Sequence, residues 1–345
     1  MFQQISQLSL NEIRNEIVLF NNDSTAQTLK RYFYEKSYPE IFGISRKEIC
    51  HSSFLAWIHD PTASHGLGDF GIRRFLEIIF TSHFPTPEIT NNNLIDDFIT
   101  GNFRVEIASI EREYVFQKNA PNTSGRVDIL IQLELKINNT NPKLRIVLEN
   151  KVLASEGKDQ TERYYKHFSS LKDDYQNLFV YLTPISNIVL SALTTPECKN
   201  KNFIQINYQS LVDSMLEPAL DQPINNTTQL FIGQYIQSLG QPTMDEKAEK
   251  FERGLIMAIG KDERELLKKF WSNNQKIILA ALYAFSVDEE QEESDRNIVT
   301  AALSSITNNV KDKSRIKLSY KNFETEPFRK SDIGFQTIQL LNKMN

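Results

Sequence analysis

The period of the apolar residues changes twice along this chain. Up to about Phe84 they recur three and four positions apart, as in Phe54–Ile58 and Asp69–Phe80. That spacing puts them on one helical face and predicts helices. Between these two lies HDPTASHGLGD, whose His, Gly, Asp and Pro content predicts a loop. Asp60-Pro61 should close the first helix, because a residue before proline avoids helical geometry, and Asp69 is placed to cap the second. Pro85–Asn102, rich in Asn, Thr and Pro, also reads as a loop.

Alternation then replaces the helical period. Val105–Phe116 alternates and is rich in β-branched and aromatic residues, Arg126–Leu135 does so more strongly, Lys143–Asn150 is a third run, and the polar turn KINNTNP joins the last two. They predict a meander of three strands. The helical period returns over about Glu156–Leu171, with Gln160, Tyr164, Phe168 and Leu171 near one face. The apolar run Leu178–Leu182, ended by Thr183-Pro184, predicts a buried strand, and Phe203–Asn207 another. From Gln209 the chain reads as mainly helical. The acidic run Asp288–Asp295 reads as a solvated linker or loop, and the final fifty residues are mixed. The implied division is 1–208, 209–287 and 288–345.

Composition narrows the picture. With 345 residues, 40% hydrophobic and 24% charged, the chain can build one large core or two. A net charge of −5 argues against a generally basic protein that coats nucleic acid. Cys50 and Cys198 match no zinc spacing and suit a reducing compartment. The start, MFQQISQLSLNEIRNEIVLF, is unlike a signal peptide, and no stretch approaches the roughly 20 apolar residues of a membrane span. A soluble cytoplasmic protein with no membrane partner is expected.

One cluster carries chemistry. Asp128 lies within the strand RVDILI, and Glu149-Asn150-Lys151 closes the strand IVLENK. Charged groups ending an apolar strand are costly unless they are paired or bind an ion. In an antiparallel hairpin Asp128 and Glu149 project from neighbouring strands, and alternation puts Lys151 on the face of Glu149. Two carboxylates can hold Mg²⁺ or Mn²⁺ through hard oxygen ligands, and the ion activates a water for phosphodiester hydrolysis. The lysine can orient the nucleophile or stabilise the transition state.

The ordered segments GRVDILI, IVLENK, GKDQTERYY and FVYLTP resemble the PD-(D/E)XK nuclease superfamily, and EICHSSFLAWIHDPTASHGLGD resembles the N-terminal signature of a bacterial branch. The resemblance covers about Glu48–Asn207. It implies an α/β fold with a restriction-endonuclease-like αβββαβ core, N-terminal helices and a mainly helical C-terminal region. It maps the metal ligands to Asp128 and Glu149, with the backbone carbonyl of Asn150 as a third, and the catalytic lysine to Lys151. Gln160 and Tyr164 match the Q-x-x-x-Y motif of the RecB-like nucleases. Glu48 and Glu113 are both candidates for a further acid, Glu48 being favoured. Val127 stands where the superfamily's name has proline.

The implied activity is a Mg²⁺-dependent nuclease acting on DNA rather than RNA, in a bacterial antiviral defence or mobile-element setting. The alternatives are a non-catalytic protein that binds nucleic acid or a partner on the same fold, and an effector regulated through its C-terminal helices, which could also hold a second copy of the chain. His51, His59 and His65 match no metal spacing and read as structural.

Overall fold

The computed structural model describes residues 9–82, 97–98, 100–116, 124–138, 140–153, 156–184, 198–241 and 256–307, with the short pairs 315–316, 319–320, 323–324 and 328–329. The chain divides into two compact units, Val18–Gln275, and Met1–Ile17 with Lys276–Asn345.

The first helices are α1 (Leu10–Asn22), α2 (Ser24–Tyr34), α3 (Tyr38–Ile41), α4 (Glu48–His59) and α5 (Phe70–Ser82). Asp60 follows α4 in an extended conformation, as the Asp-Pro pair requires. Five strands follow in one sheet, β1 (Arg104–Phe116), β2 (Gly125–Lys136), β3 (Lys143–Asn150), β4 (Tyr175–Thr183) and β5 (Phe203–Asn207), with α6 (Gln160–Ser169) between β3 and β4. Strand order is β1-β2-β3-β4-β5. The first three strands are an antiparallel meander, while β3–β4 and β4–β5 are parallel. This is the restriction-endonuclease-like αβββαβ arrangement, a mixed sheet flanked by N- and C-terminal helices.

The sheet is covered on both faces. On one, Leu55 and Ile58 of α4 and Ile72, Phe75 and Leu76 of α5 share a core with Ile129, Ile131, Leu133 and Leu135. On the other, Tyr164 and Phe168 of α6 meet Phe116, Val127, Val147 and Phe179. Each such large apolar side chain contributes roughly 2 kcal/mol by leaving water. Strand β3 lies mid-sheet and is buried from Leu144 to Asn150, in keeping with the consecutive apolar Ile146, Val147 and Leu148 at its centre. The glycine of GRVDILI has a steric cause, because a Cβ on Gly125 would stand 2.5 Å from Phe116 Cζ and 2.8 Å from Tyr164 Cε1.

Two expected boundaries shift. The helix expected from about Glu156 starts at Gln160, because Asp159 adopts a left-handed φ of 51°. Glu156 instead accepts the Thr161 N–H at 3.0 Å. The acidic run divides between a turn and the start of a helix. Residues 288–292 turn between α10 (Lys261–Val287) and α11 (Glu293–Thr307), whose first turn holds Glu293 and Asp295. Acidic side chains there are favoured by the helix dipole. Before them come α7 (Tyr208–Leu211), a π-helical turn (Val212–Leu216), α8 (Glu217–Leu220) and α9 (Asn226–Gly240). The last fifty residues contain two small antiparallel ladders, Arg315–Ile316 with Phe328–Arg329 and Ser319–Tyr320 with Phe323–Glu324. Most of the loop expected over Pro85–Asn102 lies outside the described residues. Among those described, no helix is long and apolar enough to cross a membrane.

Candidate functional site

The site forms where two strands part. The β2–β3 ladder reaches Ile129 opposite Leu148 and goes no further, while the β3–β4 ladder continues to Asn150 opposite Leu182. Asp128 and Glu149 are the next residues at that fork. Asp128 fills the gap, its Oδ2 accepting the Asn150 N–H at 2.7 Å. Lys151 Nζ lies 2.7 Å from Glu149 Oε1, as strand alternation predicts, and 3.9 Å from Glu48 Oε2. The first turn of α4 thus brings Glu48 across from a distant part of the chain. Its other oxygen accepts the Val152 N–H at 2.9 Å.

Helix α6 closes another side. Gln160 Nε2 donates to Glu149 Oε1 at 2.6 Å and to the Tyr164 hydroxyl at 2.8 Å. That hydroxyl donates to the Arg126 carbonyl. The two residues share a helical face as their spacing of four requires. Tyr164 is also a buried core aromatic, so its ring serves packing while its hydroxyl reaches the site.

Asn150 is held by groups that motif spacing does not reveal. Its amide donates to Ser52 Oγ and to the Glu48 carbonyl, both at 3.3 Å, and its Oδ1 accepts the Tyr208 hydroxyl at 2.6 Å. Tyr208 opens α7 immediately after β5, and a tyrosine following an apolar strand gives no signal of such a role.

Both candidates for the further acid are near. Glu113, at φ 54°, is the β1 residue across from Asp128, and its carboxylate binds Arg126 Nε at 2.8 Å. Glu48 is the one that approaches Lys151.

The electrostatics are unbalanced. Burial pushes Asp128 up to about 6, and the carboxylates of Glu48 and Glu113 add to that, against the Asn150 N–H and Lys151. Glu149 is raised further, by burial and then by Asp128, against the pull of Lys151. Burial works against the Lys151 ammonium, yet Glu149, Glu48 and Asp128 hold it above its ordinary value. Glu149 Oε2 is buried with no hydrogen-bond partner among the described residues. An orphaned buried oxygen beside a second carboxylate suits a hard divalent cation, which would relieve both charges.

A sequence model of the PD-(D/E)XK nuclease superfamily matches residues 39–237, more than half of the chain. The chain belongs to the PD-(D/E)XK nuclease superfamily. The superfamily match spans α4, the whole five-stranded sheet and α6, and so contains every residue of the fork. No curated protein matches the chain. Among solved structures, the MspJI restriction endonuclease in complex with a 27-mer oligonucleotide is similar at 10% identity, with a TM-score of 0.16. The match covers 66% of this chain and 35% of that one, so this chain spans about a third of the endonuclease's length. At that TM-score nothing about the superfamily site carries across.

The histidines lie apart from this chemistry. His51 is buried between the Tyr235 hydroxyl at 2.9 Å and the Ser45 carbonyl at 3.0 Å. His65 bridges the Asp60 carbonyl and the Leu67 N–H at 2.8 and 2.9 Å. His59 lies against Phe75 with ring centroids 4.4 Å apart. Among the described residues, no three His, Cys, Asp or Glu side chains form a metal-holding group. A cavity of about 750 Å³ lies along α4, lined by aromatic residues such as Phe42, Phe54, Trp57 and Phe231, and none of the fork residues lines it.

Proposed function

We propose that this protein is a divalent-metal-dependent nuclease that hydrolyses phosphodiester bonds of DNA. The observation that carries this reading is the orphaned Glu149 oxygen beside Asp128, with Lys151 in the same fork. Asp128 and Glu149 would hold Mg²⁺ or Mn²⁺, with the Asn150 backbone carbonyl as a third protein ligand. When bound, the ion supplies a lowered water pKa and neutralises charge on the phosphate.

The chain's own residues do the rest. The Asn150 N–H fixes Asp128 through Oδ2 and leaves Oδ1 for a ligand. Gln160 fixes Glu149 through Oε1 and leaves Oε2. Lys151, three-donor and cationic, donates to a non-bridging phosphate oxygen as its charge grows. A water oxygen bonds to phosphorus, the bond from phosphorus to the leaving strand breaks, and the leaving oxygen departs with a proton. Gln160 and Tyr164 act as the Q-x-x-x-Y pair of the RecB-like group, Gln160 positioning the carboxylate and Tyr164 positioning Gln160. Glu48 sets the position of Lys151.

The test incubates the purified chain with plasmid, linear duplex, single-stranded DNA and RNA, each in Mg²⁺, Mn²⁺ and EDTA. Cleavage of DNA that EDTA stops and Glu149→Gln abolishes supports the proposal. Nucleic-acid binding without cleavage in either metal would establish the non-catalytic reading instead.

A further inference from the structure

A second polar recess lies at the opposite end of β1 and β2 from the fork. Arg104 on β1 pairs directly with Lys136 on β2. Residues directly opposite in an antiparallel pair have Cβ atoms about 5 Å apart, and like charges there destabilise the sheet. Both side chains are exposed, and neither forms an ion pair with another described residue. Nothing in sheet formation requires two cations at these positions.

A third cation faces the same recess. Arg73 of α5 donates to the Gly101 carbonyl at 2.9 Å and lies over the Phe103 ring at 5.1 Å. These contacts hold the guanidinium in place, while the Asp69 carboxylate meets it at 4.0 Å. Gly101 has φ 72°, and a Cβ there would stand 3.4 Å from Arg73 Nη2, so glycine lets the loop turn beside the guanidinium. Arg73, Arg104 and Lys136, with Asn102 and Asn138, line a recess of about 460 Å³. Its walls present cationic and amide donors.

We infer that this recess is a phosphate-binding site remote from the cleavage centre, with Arg73, Arg104 and Lys136 as its cations. Asp97 takes the Asn138 amide at 3.4 Å and Asp69 stands 4.0 Å from Arg73, but neither carboxylate pairs with Arg104 or Lys136, and an Arg fork beside an ammonium suits one tetrahedral dianion or a phosphodiester. A bound phosphate converts the cross-strand repulsion into two attractions. The phosphate can belong to the nucleic-acid strand being cut or to a free nucleotide. The first source rests on the nuclease reading and the second does not. Lys136 is eight residues from Asp128, so the recess lies about 26 Å along β2 from the fork, roughly eight nucleotide steps of a duplex. A backbone phosphate there would fix the register of a long substrate and ignore a short one.

The experiment uses the full chain in EDTA, as wild type, as Arg104→Ala/Lys136→Ala and as Lys136→Glu. Binding of pyrophosphate, a six-nucleotide strand and a thirty-base-pair duplex is measured across a salt series. If the source is the strand, duplex binding weakens at least tenfold in both variants, the salt slope of the double alanine variant falls by about two, and the six-nucleotide strand is unaffected. If it is a free nucleotide, pyrophosphate binding is lost and duplex binding is unchanged. Lys136→Glu separates ligand binding from folding: placing opposite charges across the strands should raise Tm while binding is lost. Unchanged affinity for both pyrophosphate and duplex in both variants overturns the inference. If wild type binds no nucleic acid, the nuclease reading fails and pyrophosphate alone decides the site.

Discussion

Two groups of ionisable side chains are buried within reach of α4, and they behave in opposite ways. Around the fork, Asp128 and Glu149 are desolvated carboxylates gathered on one ammonium, with an oxygen left unpartnered. Around the helix itself, burial depresses His51 to about 4 and His59 to about 3. The histidines stay neutral: His51 makes two hydrogen bonds, and His59 packs on Phe75 with both ring nitrogens buried and unpartnered among the described residues. Burial alone therefore does not make a site. The difference is that carboxylates converge at the fork, where a proton or a further cation is needed to relieve them, whereas a neutral imidazole needs no counter-charge.

The largest test of this contrast is Glu149→Gln. It should lower turnover by about a thousandfold or more, while Tm without metal stays near level, since glutamine keeps the shape of a side chain whose neutral form burial already favours. Mg²⁺ should raise the Tm of wild type and not that of the variant. A variant that unfolds, or that cleaves at the wild-type rate, would break the distinction between site and scaffold.

The histidines should give the complementary result, through pH and not through metal. Their folded pKa values lie below the unfolded value of about 6.5, so between these limits the unfolded chain binds more protons. The stability they contribute is complete above about 6.5 and is lost as pH falls toward 4 and 3. At 1.36 kcal/mol per unit the loss is roughly 3 kcal/mol for His51 and roughly 5 kcal/mol for His59. His59→Phe should flatten the fall in Tm over this window and leave Mg²⁺-dependent cleavage intact. A metal-dependent Tm that vanishes in this variant would move the metal site to the histidines.

Gln160→Ala sharpens the boundary further. It removes the hydrogen bond that fixes Glu149 and should cost roughly tenfold in turnover with Tm little changed. Tyr164→Phe keeps the ring against Phe116 and Phe168 and removes only the hydroxyl. A smaller fall in turnover is expected, with a modest loss of Tm from the unpaired Arg126 carbonyl. If both variants match wild type in single-turnover rate, α6 is scaffold alone.

The sequence determined the five strands, the helices around them and the convergence of Asp128, Glu149 and Lys151, because two-residue alternation and a short turn are local. It also set Gln160 and Tyr164 on one helical face. It left Glu48 and Glu113 as alternatives, since both precede the motif and neither has a fixed spacing to it. The tertiary structure placed Glu113 on Arg126 and Glu48 toward Lys151. Only the fold could assemble Ser52, Asn150 and Tyr208, because their contacts join α4, β3 and α7 across 98 and 58 positions of chain. Nor could alternation show that the β2–β3 ladder ends at Ile129 and Leu148. That ending turns two strand residues into a fork, and it depends on β4 holding β3 after β2 has left it. Local periodicity chooses which face a side chain takes, and long-range packing chooses what it meets there.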